Sequence, residues 1–444
     1  MSTLNYARVR SFAVQGRDDS LVRNSFFLMA TTALGAASGF VFWLLVARLY
    51  PAEQVGRATS LLSAVTLLSY FSLLGLSSSL VRHLPTTRRR DSHVSTALTT
   101  VLMTGVLVAA GFVLLLPWVA PKLAFVRSSP LTVVVFLVLA SGAALNLLTD
   151  SVFVALRAAK YNLLINGVLM SAVKLLFPVV LVATGAMGIF VASGIASTTA
   201  AVASVIAIRK RLHIALRLRI STAVLRETVG YSLGSYASSC LNLVPLLVVP
   251  LLLLDRLGAV AAATYFVAFQ IANLINAGAF AVGEALFAEG SHEDTQLRQL
   301  MRRSAVVTFV VITPAVATVV LLAHPILMVF GPQYAAGGRD TLVVLALSAF
   351  AVAFNTWSSF LLKITRQLLA LTLSNVVYAG GTVLLVVLGV AHGPVWVAAA
   401  WGVGNLLSGV AATLALVTHR RTSQPHPEAP VPPWVDRDEV GSSA

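Results

Sequence analysis

The chain has 444 residues, of which 58% are hydrophobic and only 11% are charged. Soluble domains carry about 25% charged residues, so this composition excludes a soluble globular protein, a disordered chain and a fibrous one. The 31 Lys and Arg stand against 16 Asp and Glu, giving a formal net charge of +15. In so apolar a chain this excess indicates membrane topology rather than nucleic-acid binding.

Twelve apolar stretches are long enough to cross a bilayer, since a helical span needs about 20 mostly apolar residues. Short turns of glycine and proline separate the closest pairs, at 184–186 and 392–394. The sequence therefore predicts an all-α polytopic membrane protein. The predicted spans are residues 24–47, 58–81, 97–120, 131–155, 161–183, 187–208, 228–254, 260–286, 304–323, 341–362, 368–391 and 394–418.

The basic residues predict an orientation for these spans. With the N-terminus in the cytoplasm, 24 of the 31 Lys and Arg fall in inner segments, six fall in outer segments, and Lys174 lies within a span. Basic residues accumulate in cytoplasmic loops, so this asymmetry predicts an even number of spans with both termini in the cytoplasm.

A basic segment midway along the chain divides the spans into two groups of six. Because six is an even number, the two halves would share one orientation and form a parallel repeat, related by a pseudo-two-fold axis along the membrane normal. The predicted organisation is a cytoplasmic leader (1–23), an N-lobe (24–208), a basic cytoplasmic linker (209–227), a C-lobe (228–418) and a disordered cytoplasmic tail (419–444).

Lys174 is the clearest candidate for a functional side chain. It lies about 13 residues into the fifth span, or about 20 Å from the inner end. A charge inside the membrane is costly, and we expect Lys174 to face a wet cavity, an acidic partner or an anionic ligand. Asp150 is the nearest acidic residue in sequence, but its predicted depth differs by more than a side-chain length. The sequence therefore favours a cavity position for Lys174.

Charged residues near the ends of spans form a second group of candidates. Arginines at an outer rim either anchor a helix end among lipid phosphates or bind an anionic substrate. Asp150 and Glu284 are expected near inner ends, where interfacial solvation or, alternatively, ion coupling or gating explains them, whereas Asp255 is expected at the outer rim beside Arg256. The group comprises Arg48, Arg57 and Arg256 for substrate binding, and Asp150, Asp255 and Glu284 for coupling or gating.

Four amide side chains within spans are candidates for a polar substrate site. Gln270, Asn273 and Asn276 are spaced i, i+3 and i+6, so they share one face of the eighth span, and Asn242 lies in the seventh. Hydrogen bonds between helices account for most amides in helix bundles. The alternative is a polar wall of a cleft between the two halves.

Motifs of enzymes and metal sites are missing from the sequence. It has no P-loop, no H-E-x-x-H and no C-x-x-C motif, and its one cysteine, Cys240, excludes a disulfide framework. We therefore predict a protein that is not an enzyme and that uses neither a cofactor nor a metal.

Three motifs resemble those of a known protein family. At the end of the first span stands Ala47-Arg48-Leu49-Tyr50-Pro51-Ala52-Glu53-Gln54-Val55-Gly56. The end of the second span carries Gly75-Leu76-Ser77-Ser78-Ser79-Leu80-Val81-Arg82, before a basic inner loop, and the second half contains Phe330-Gly331-Pro332-Gln333-Tyr334. These resemble bacterial polysaccharide-biosynthesis membrane proteins, the Wzx-type lipid-linked oligosaccharide flippases of the MOP (multidrug/oligosaccharidyl-lipid/polysaccharide) exporter superfamily. The chain departs from the pattern at Tyr50-Pro51, where many relatives carry Leu-Gly.

The resemblance implies a V-shaped, MATE-like fold of two six-helix lobes in a bacterial cytoplasmic membrane. It implies a flippase that moves a polyprenyl-diphosphate-linked oligosaccharide or polysaccharide precursor to the outer leaflet by alternating access, for cell-surface polysaccharides such as lipopolysaccharide O-antigen. Expected partners are this lipid-linked substrate, membrane lipids, and glycosyltransferases or a polymerase of the same pathway.

Two other functions stay open at this point. A cation-coupled multidrug or small-molecule exporter of the same superfamily would need an acidic, aromatic cavity. A non-transporting membrane scaffold for glycan enzymes would tolerate replacement of Lys174 by Ala.

Overall fold

The computed structural model describes the backbone of residues 3–290 and 297–422, with most side chains between residues 23 and 418. Its regular elements are helices. The α-helices are α1 (Thr3–Leu49), α2 (Ala52–Leu73), α3 (Leu76–His83), α4 (Arg90–Val119), α5 (Pro130–Ala155), α6 (Ala159–Asn162), α7 (Met170–Val180), α8 (Gly185–Arg211), α9 (Thr222–Leu257), α10 (Ala259–Gly290), α11 (Leu297–Leu321), α12 (Ala323–Phe330), α13 (Pro332–Ile364), α14 (Leu368–Gly389) and α15 (Pro394–Thr422). A π-helix (Leu163–Leu169) joins α6 to α7, and 3-10 helices cover Pro121–Arg127, Val182–Thr184 and Val390–His392.

Within these described ranges, eleven helical segments are long and apolar enough to cross a membrane, and the bent pair α2–α3 supplies a twelfth. The predicted all-α, twelve-span architecture is therefore confirmed. Helices α1 to α8 form the N-lobe and α9 to α15 the C-lobe. Helix α5 packs between α4 and α8 in the first lobe, and α13 packs between α10 and α15 in the second.

Several predicted boundaries were wrong. The second span was expected at 58–81, but α2 begins at Ala52, and the span bends by 51° between α2 and α3. Leu74 and Gly75 adopt positive φ at the bend, a conformation that glycine accepts without strain. The tenth span was expected at 341–362, but α13 begins at Pro332. Hydropathy identifies the part of a helix inside hydrocarbon, whereas the helix itself continues into more polar surroundings.

The two lobes repeat one plan of connections. In both lobes a short helix lies between the third and fourth spans: Pro121–Arg127 in the N-lobe and α12 in the C-lobe. A three-residue 3-10 turn separates the fifth and sixth spans of each lobe, at Val182–Thr184 and Val390–His392. This correspondence follows from a parallel repeat of six spans.

The turns between spans define two ends of the helix bundle. We call one the Tyr50 end, which carries the α1–α2 and α9–α10 turns and the short helices between spans. We call the other the Arg82 end, which carries the α3–α4 turn and the linker between the lobes, residues 212–221.

Tyr50 attaches the α1–α2 turn to the fifth span. Its side chain is buried, and its hydroxyl donates a 2.7 Å hydrogen bond to the Pro178 carbonyl in α7. Burial raises the pKa of the Tyr50 phenol, which keeps it protonated as a donor. Helix α7, which carries Lys174, is thereby fixed against the turn that begins α2.

Candidate functional site

A cavity of about 300 Å³ lies between the two lobes. Residues of α1, α2, α7 and α8 line it from the N-lobe, and residues of α9, α10 and α15 line it from the C-lobe. Among the described residues of this lining, Lys174 is the one that carries a charge. The other polar residues are Thr59, Ser63, Thr66, Ser193 and Gln270, and the aromatic residues are Trp43, Tyr265, Phe266, Phe269 and Trp401.

Lys174 reaches the cavity wall from α7, directly after the π-helix. Its Nζ lies 4.8 Å from the centroid of the Phe42 ring, within the range of a cation–π contact. The ion pairs of the described side chains join Glu53 to Arg57 and Asp255 to Arg256, so Lys174 has no carboxylate partner among them. An aromatic face stabilises the ammonium without neutralising its charge, which leaves it available to an anion.

The C-lobe wall of the cavity is an aromatic layer held by hydrogen bonds. Phe269 lies between Tyr265, with ring centroids 6.0 Å apart, and Trp401, at 5.2 Å. The indole nitrogen of Trp401 donates a 3.0 Å hydrogen bond to the hydroxyl of Tyr378. Buried networks of this kind fix rotamers, so the wall is expected to keep its shape when a ligand enters.

The cavity is closed toward the Tyr50 end by close contact between the lobes. Trp43 meets Phe266 with ring centroids 4.4 Å apart, and the Ser60 hydroxyl donates a 2.9 Å hydrogen bond to the Pro250 carbonyl. A Cβ built on Gly56 would lie 1.8 Å from the Ala259 carbonyl oxygen. Helices α2 and α10 therefore touch backbone to backbone at this end, which only a glycine permits.

The lobes separate toward the Arg82 end on one side of the molecule. Tyr236 of α9 donates a 2.6 Å hydrogen bond to the Tyr70 carbonyl, which joins α9 to α2. On the other side, α1 and α10 make no extensive contact, and residues 32–37 of α1 are all exposed. Leu274 of α10 is 53% exposed. The interlobe cleft thus opens between α1 and α10.

The predicted rim residues lie at the Tyr50 end, outside the central cavity. Arg57 pairs with Glu53 at 2.5 Å, and Arg256 pairs with its neighbour Asp255 at 3.4 Å. Arg48 instead binds backbone carbonyls of α12. A second cavity, of about 450 Å³, lies at this end and is lined by Glu53, Arg57, Lys122 and the α9–α10 turn, among others.

The predicted amides are dispersed. Gln270 lines the central cavity. Asn273 is exposed, while Asn276 is 8% exposed and neither of its amide atoms has a hydrogen-bond partner in the described part of the chain. Asn242 donates a 3.3 Å hydrogen bond to the Asn375 side chain, which joins α9 to α14. The shared face of Gln270, Asn273 and Asn276 therefore does not form a continuous wall of the cavity.

Asp150, the acidic candidate nearest to Lys174 in sequence, is not part of the described lining of the cavity. Asp150 of α5 accepts a hydrogen bond from Asn166, which also bonds to Asn162 at 2.7 Å. Asn166 belongs to the π-helix, so the acid and the irregular backbone are directly linked. Glu284 falls in α10, but its side chain is outside the described part of the chain.

Sequence reasoning missed two contributors. Phe42 carries no signal beyond hydrophobicity, although it supports Lys174. Lys122 is one of the six basic residues of the predicted outer segments, and its Nζ donates hydrogen bonds to two carbonyls of α9. Backbone carbonyls leave no trace in a sequence, and no motif could have revealed this pairing.

Comparison with known proteins identifies related sequences and folds. A family model described as "Polysaccharide biosynthesis protein" matches residues 21–287. No curated protein sequence matches the chain significantly.

Solved structures of similar architecture come from the MOP superfamily. The inward-facing conformation of a multidrug resistance MATE family transporter has a TM-score of 0.64 at 14% identity, covering 89% of this chain and 99% of that one. An outward-facing conformation of such a transporter has a TM-score of 0.57 at 14% identity, with coverages of 91% and 97%. The lipid II flippase MurJ, inward closed, has a TM-score of 0.63 at 14% identity, with coverages of 88% and 87%. At this identity the similarity concerns the fold, and it confirms the predicted two-lobed fold class.

Proposed function

The chain belongs to the polysaccharide biosynthesis protein family, and on that premise we propose that it flips a polyprenyl-diphosphate-linked oligosaccharide or polysaccharide precursor from the cytoplasmic to the outer leaflet of a bacterial membrane. The family and the fold support a MOP-superfamily flippase or exporter. The observation that carries the choice of cargo is Lys174, a cation without a carboxylate partner among the described side chains, on the wall of the interlobe cavity.

A diphosphate fits this cavity by charge and by size. Its negative charge makes it costly to move through about 30 Å of hydrocarbon, and a cation at mid-depth lowers that cost. The volume of about 300 Å³ suits a small head group rather than a long glycan. The sugars would extend toward the Arg82 end, where the cleft is wider, and the polyprenyl chain would stay in the bilayer through the opening between α1 and α10.

The orientation of the bundle follows from its charges. The Arg82 end carries most of the basic residues of the inner segments, so we assign it to the cytoplasm and assign both termini to that side. The cleft then faces the cytoplasm and the Tyr50 end is the closed outer gate. The higher TM-score of the inward-facing MATE conformation, 0.64 against 0.57, supports this assignment.

The energy source is proposed to be ionic, because the sequence has no P-loop for nucleotide hydrolysis. Asp150 is the acidic residue we propose for proton coupling. It lies within α5 and bonds to the π-helix that precedes Lys174. Protonation would remove the charge that accepts the Asn166 hydrogen bond and so change the packing of the fifth span.

The proposal is tested by binding of a polyprenyl diphosphate to the purified protein, with the uncharged polyprenol as the reference ligand. Lys174→Gln should weaken diphosphate binding by about tenfold to a hundredfold, as expected for a lost charge-assisted hydrogen bond. It should leave polyprenol binding unchanged. Lys160→Gln is the matched control, because Lys160 belongs to the same span but is exposed and outside the cavity. Equal diphosphate affinity of Lys174→Gln and the parent would refute the cargo assignment.

A second function, export of cationic drugs, is favoured by the aromatic wall that Trp43, Phe269 and Trp401 give the cavity. The positive charge of Lys174 disfavours it. Ethidium efflux from cells distinguishes the two functions, because the drug-export hypothesis requires it and the flippase hypothesis does not. Under the drug-export reading, Lys174→Gln would raise ethidium efflux rather than impair glycan export.

A further inference from the structure

Two basic side chains of the N-lobe bind backbone carbonyls of the C-lobe at the Tyr50 end. Lys122 Nζ lies 2.9 Å from the Leu254 carbonyl oxygen and 2.5 Å from that of Asp255. Arg48 Nε lies 2.7 Å from the Val329 carbonyl oxygen, and its Nη2 lies 3.1 Å from that of Met328. Both contacts cross from one lobe to the other.

The four carbonyls belong to the last turns of two helices. Helix α9 ends at Leu257 and α12 at Phe330, and the last four carbonyls of a helix have no partner within it. Neighbouring carbonyls of the same turns are already satisfied: Gly258 N–H bonds to Leu253, and Gly331 N–H bonds to Leu327. The two cations thus occupy the acceptors that the helices leave open.

Such contacts are favourable for two reasons. The C-terminal end of a helix carries a partial negative charge, which attracts cations. A hydrogen bond from an ionised donor is also stronger than one between neutral groups. Because the acceptors are backbone atoms, neither contact depends on the protonation of an acidic side chain.

We propose that Lys122 and Arg48 are the latch residues that hold the Tyr50 end closed, by capping C-lobe helices from the N-lobe. Opening this end must break all four hydrogen bonds, since the donors and acceptors lie on different lobes. The inference rests on the alternating access in the proposed function, but not on the identity of the cargo. The cations are positioning residues for the lobes and do not contact the central cavity.

The test measures access to the central cavity from the Tyr50 side. Cys240 is the one cysteine of the chain, so Cys240→Ser supplies a cysteine-free background with one substitution. Thr66→Cys then places a thiol on the cavity wall. Sealed vesicles are treated with a membrane-impermeant maleimide added on the Tyr50 side, and total thiol after solubilisation normalises the amount of folded protein.

Lys122→Gln and Arg48→Gln should each raise the labelling rate by about tenfold, and the double variant should raise it further. Lys122→Arg keeps a cationic donor and should label like the parent. Arg127→Gln and Arg339→Gln are matched controls, since both residues are exposed basic groups at the same end, and both should leave the rate unchanged. Labelling from the Arg82 side should fall as labelling from the Tyr50 side rises.

The latch proposal would be overturned if both glutamine variants were labelled at the rate of the parent. It would also be overturned if Lys122→Arg were labelled as fast as Lys122→Gln. The outcome is independent of the cargo. If the flippase proposal fails, Lys174→Gln binds diphosphate like the parent while the latch variants still label faster. If the latch fails, the Lys174 result stands.

Discussion

Gly56→Ala tests whether the Tyr50 end is closed by direct backbone contact. The added Cβ would lie 1.8 Å from the Ala259 carbonyl oxygen. An ordinary carbon–oxygen contact needs about 3.3 Å, so α2 and α10 would have to move apart by about 1.5 Å. The obstacle is a backbone atom, and no side-chain rotation can relieve the overlap.

The size of the effect follows from the cost of overpacking, about 1 to 3 kcal/mol. This cost falls on the conformation closed at the Tyr50 end and is relieved when the lobes part. The ratio of closed to open molecules should therefore fall by about tenfold to a hundredfold. Alanine also improves helix propensity by up to about 1 kcal/mol, so any destabilisation seen is a lower limit for the clash.

The assay is a distance measurement between spin labels on the two lobes. In the Cys240→Ser background, labels at Arg127 and Arg339 report on the separation of the Tyr50 end, since both residues are exposed there. Gly56→Ala should add a longer distance to the distribution. Gly111→Ala is the matched control, because a Cβ on Gly111 would meet nothing within 4 Å. If Gly56→Ala leaves both the distances and the thermal stability unchanged, the close packing of α2 on α10 is wrong.

Other predictions address stability, coupling and topology. Asn276→Leu should raise the unfolding temperature, because it removes two buried polar atoms that have no partner among the described side chains, each costing about 1–3 kcal/mol. A lower temperature would mean that water or a ligand satisfies the amide. Ser129→Ala should cost about 1 kcal/mol in a denaturation experiment, since Ser129 caps the N-terminus of α5. Asp150→Asn should abolish the response of transport to an imposed proton gradient, whereas an unchanged response would exclude Asp150 from coupling. A reporter fused near residue 127 should lie outside the cytoplasm, and a reporter fused near residue 215 should lie inside it. The reverse result would contradict the orientation.

The number of spans could be predicted because hydropathy measures apolar character, which is what the hydrocarbon core of a bilayer requires of a spanning helix. Helices α5 and α15, for example, begin within a residue of the predicted positions, at Pro130 and Pro394, where proline suits the first turn. Hydropathy missed the start of α2 at Ala52, because Glu53 and Arg57 are polar and the first turns of the helix lie outside the apolar stretch.

The candidate site was only partly accessible to sequence reasoning. A lysine within a span is conspicuous, and Lys174 lies on the cavity wall. Spacing alone suggested that Gln270 and Asn276 share one environment, but the first lines the cavity and the second is buried without a partner. Helical periodicity defines a face of one helix, whereas the neighbour that covers each part of the face is set by the tertiary structure.

The π-helix before α7 determines how a change in the number of upstream residues would affect the direction of Lys174. The Met170 N–H bonds to the Ile165 carbonyl five residues back, so this segment holds an extra residue relative to an α-helix. Each residue of an α-helix advances the azimuth by about 100°. We expect deletion of one residue within Leu163–Leu169 to restore regular α-helix and to keep the ammonium on the cavity wall, because the π-helix absorbs the extra residue locally. Deletion of one residue between Met170 and Lys174, where the helix is regular, should instead turn the ammonium by about 100°, off the cavity wall. A homologue could therefore lose a residue from the first segment, but not from the second, and still point its lysine at the cavity.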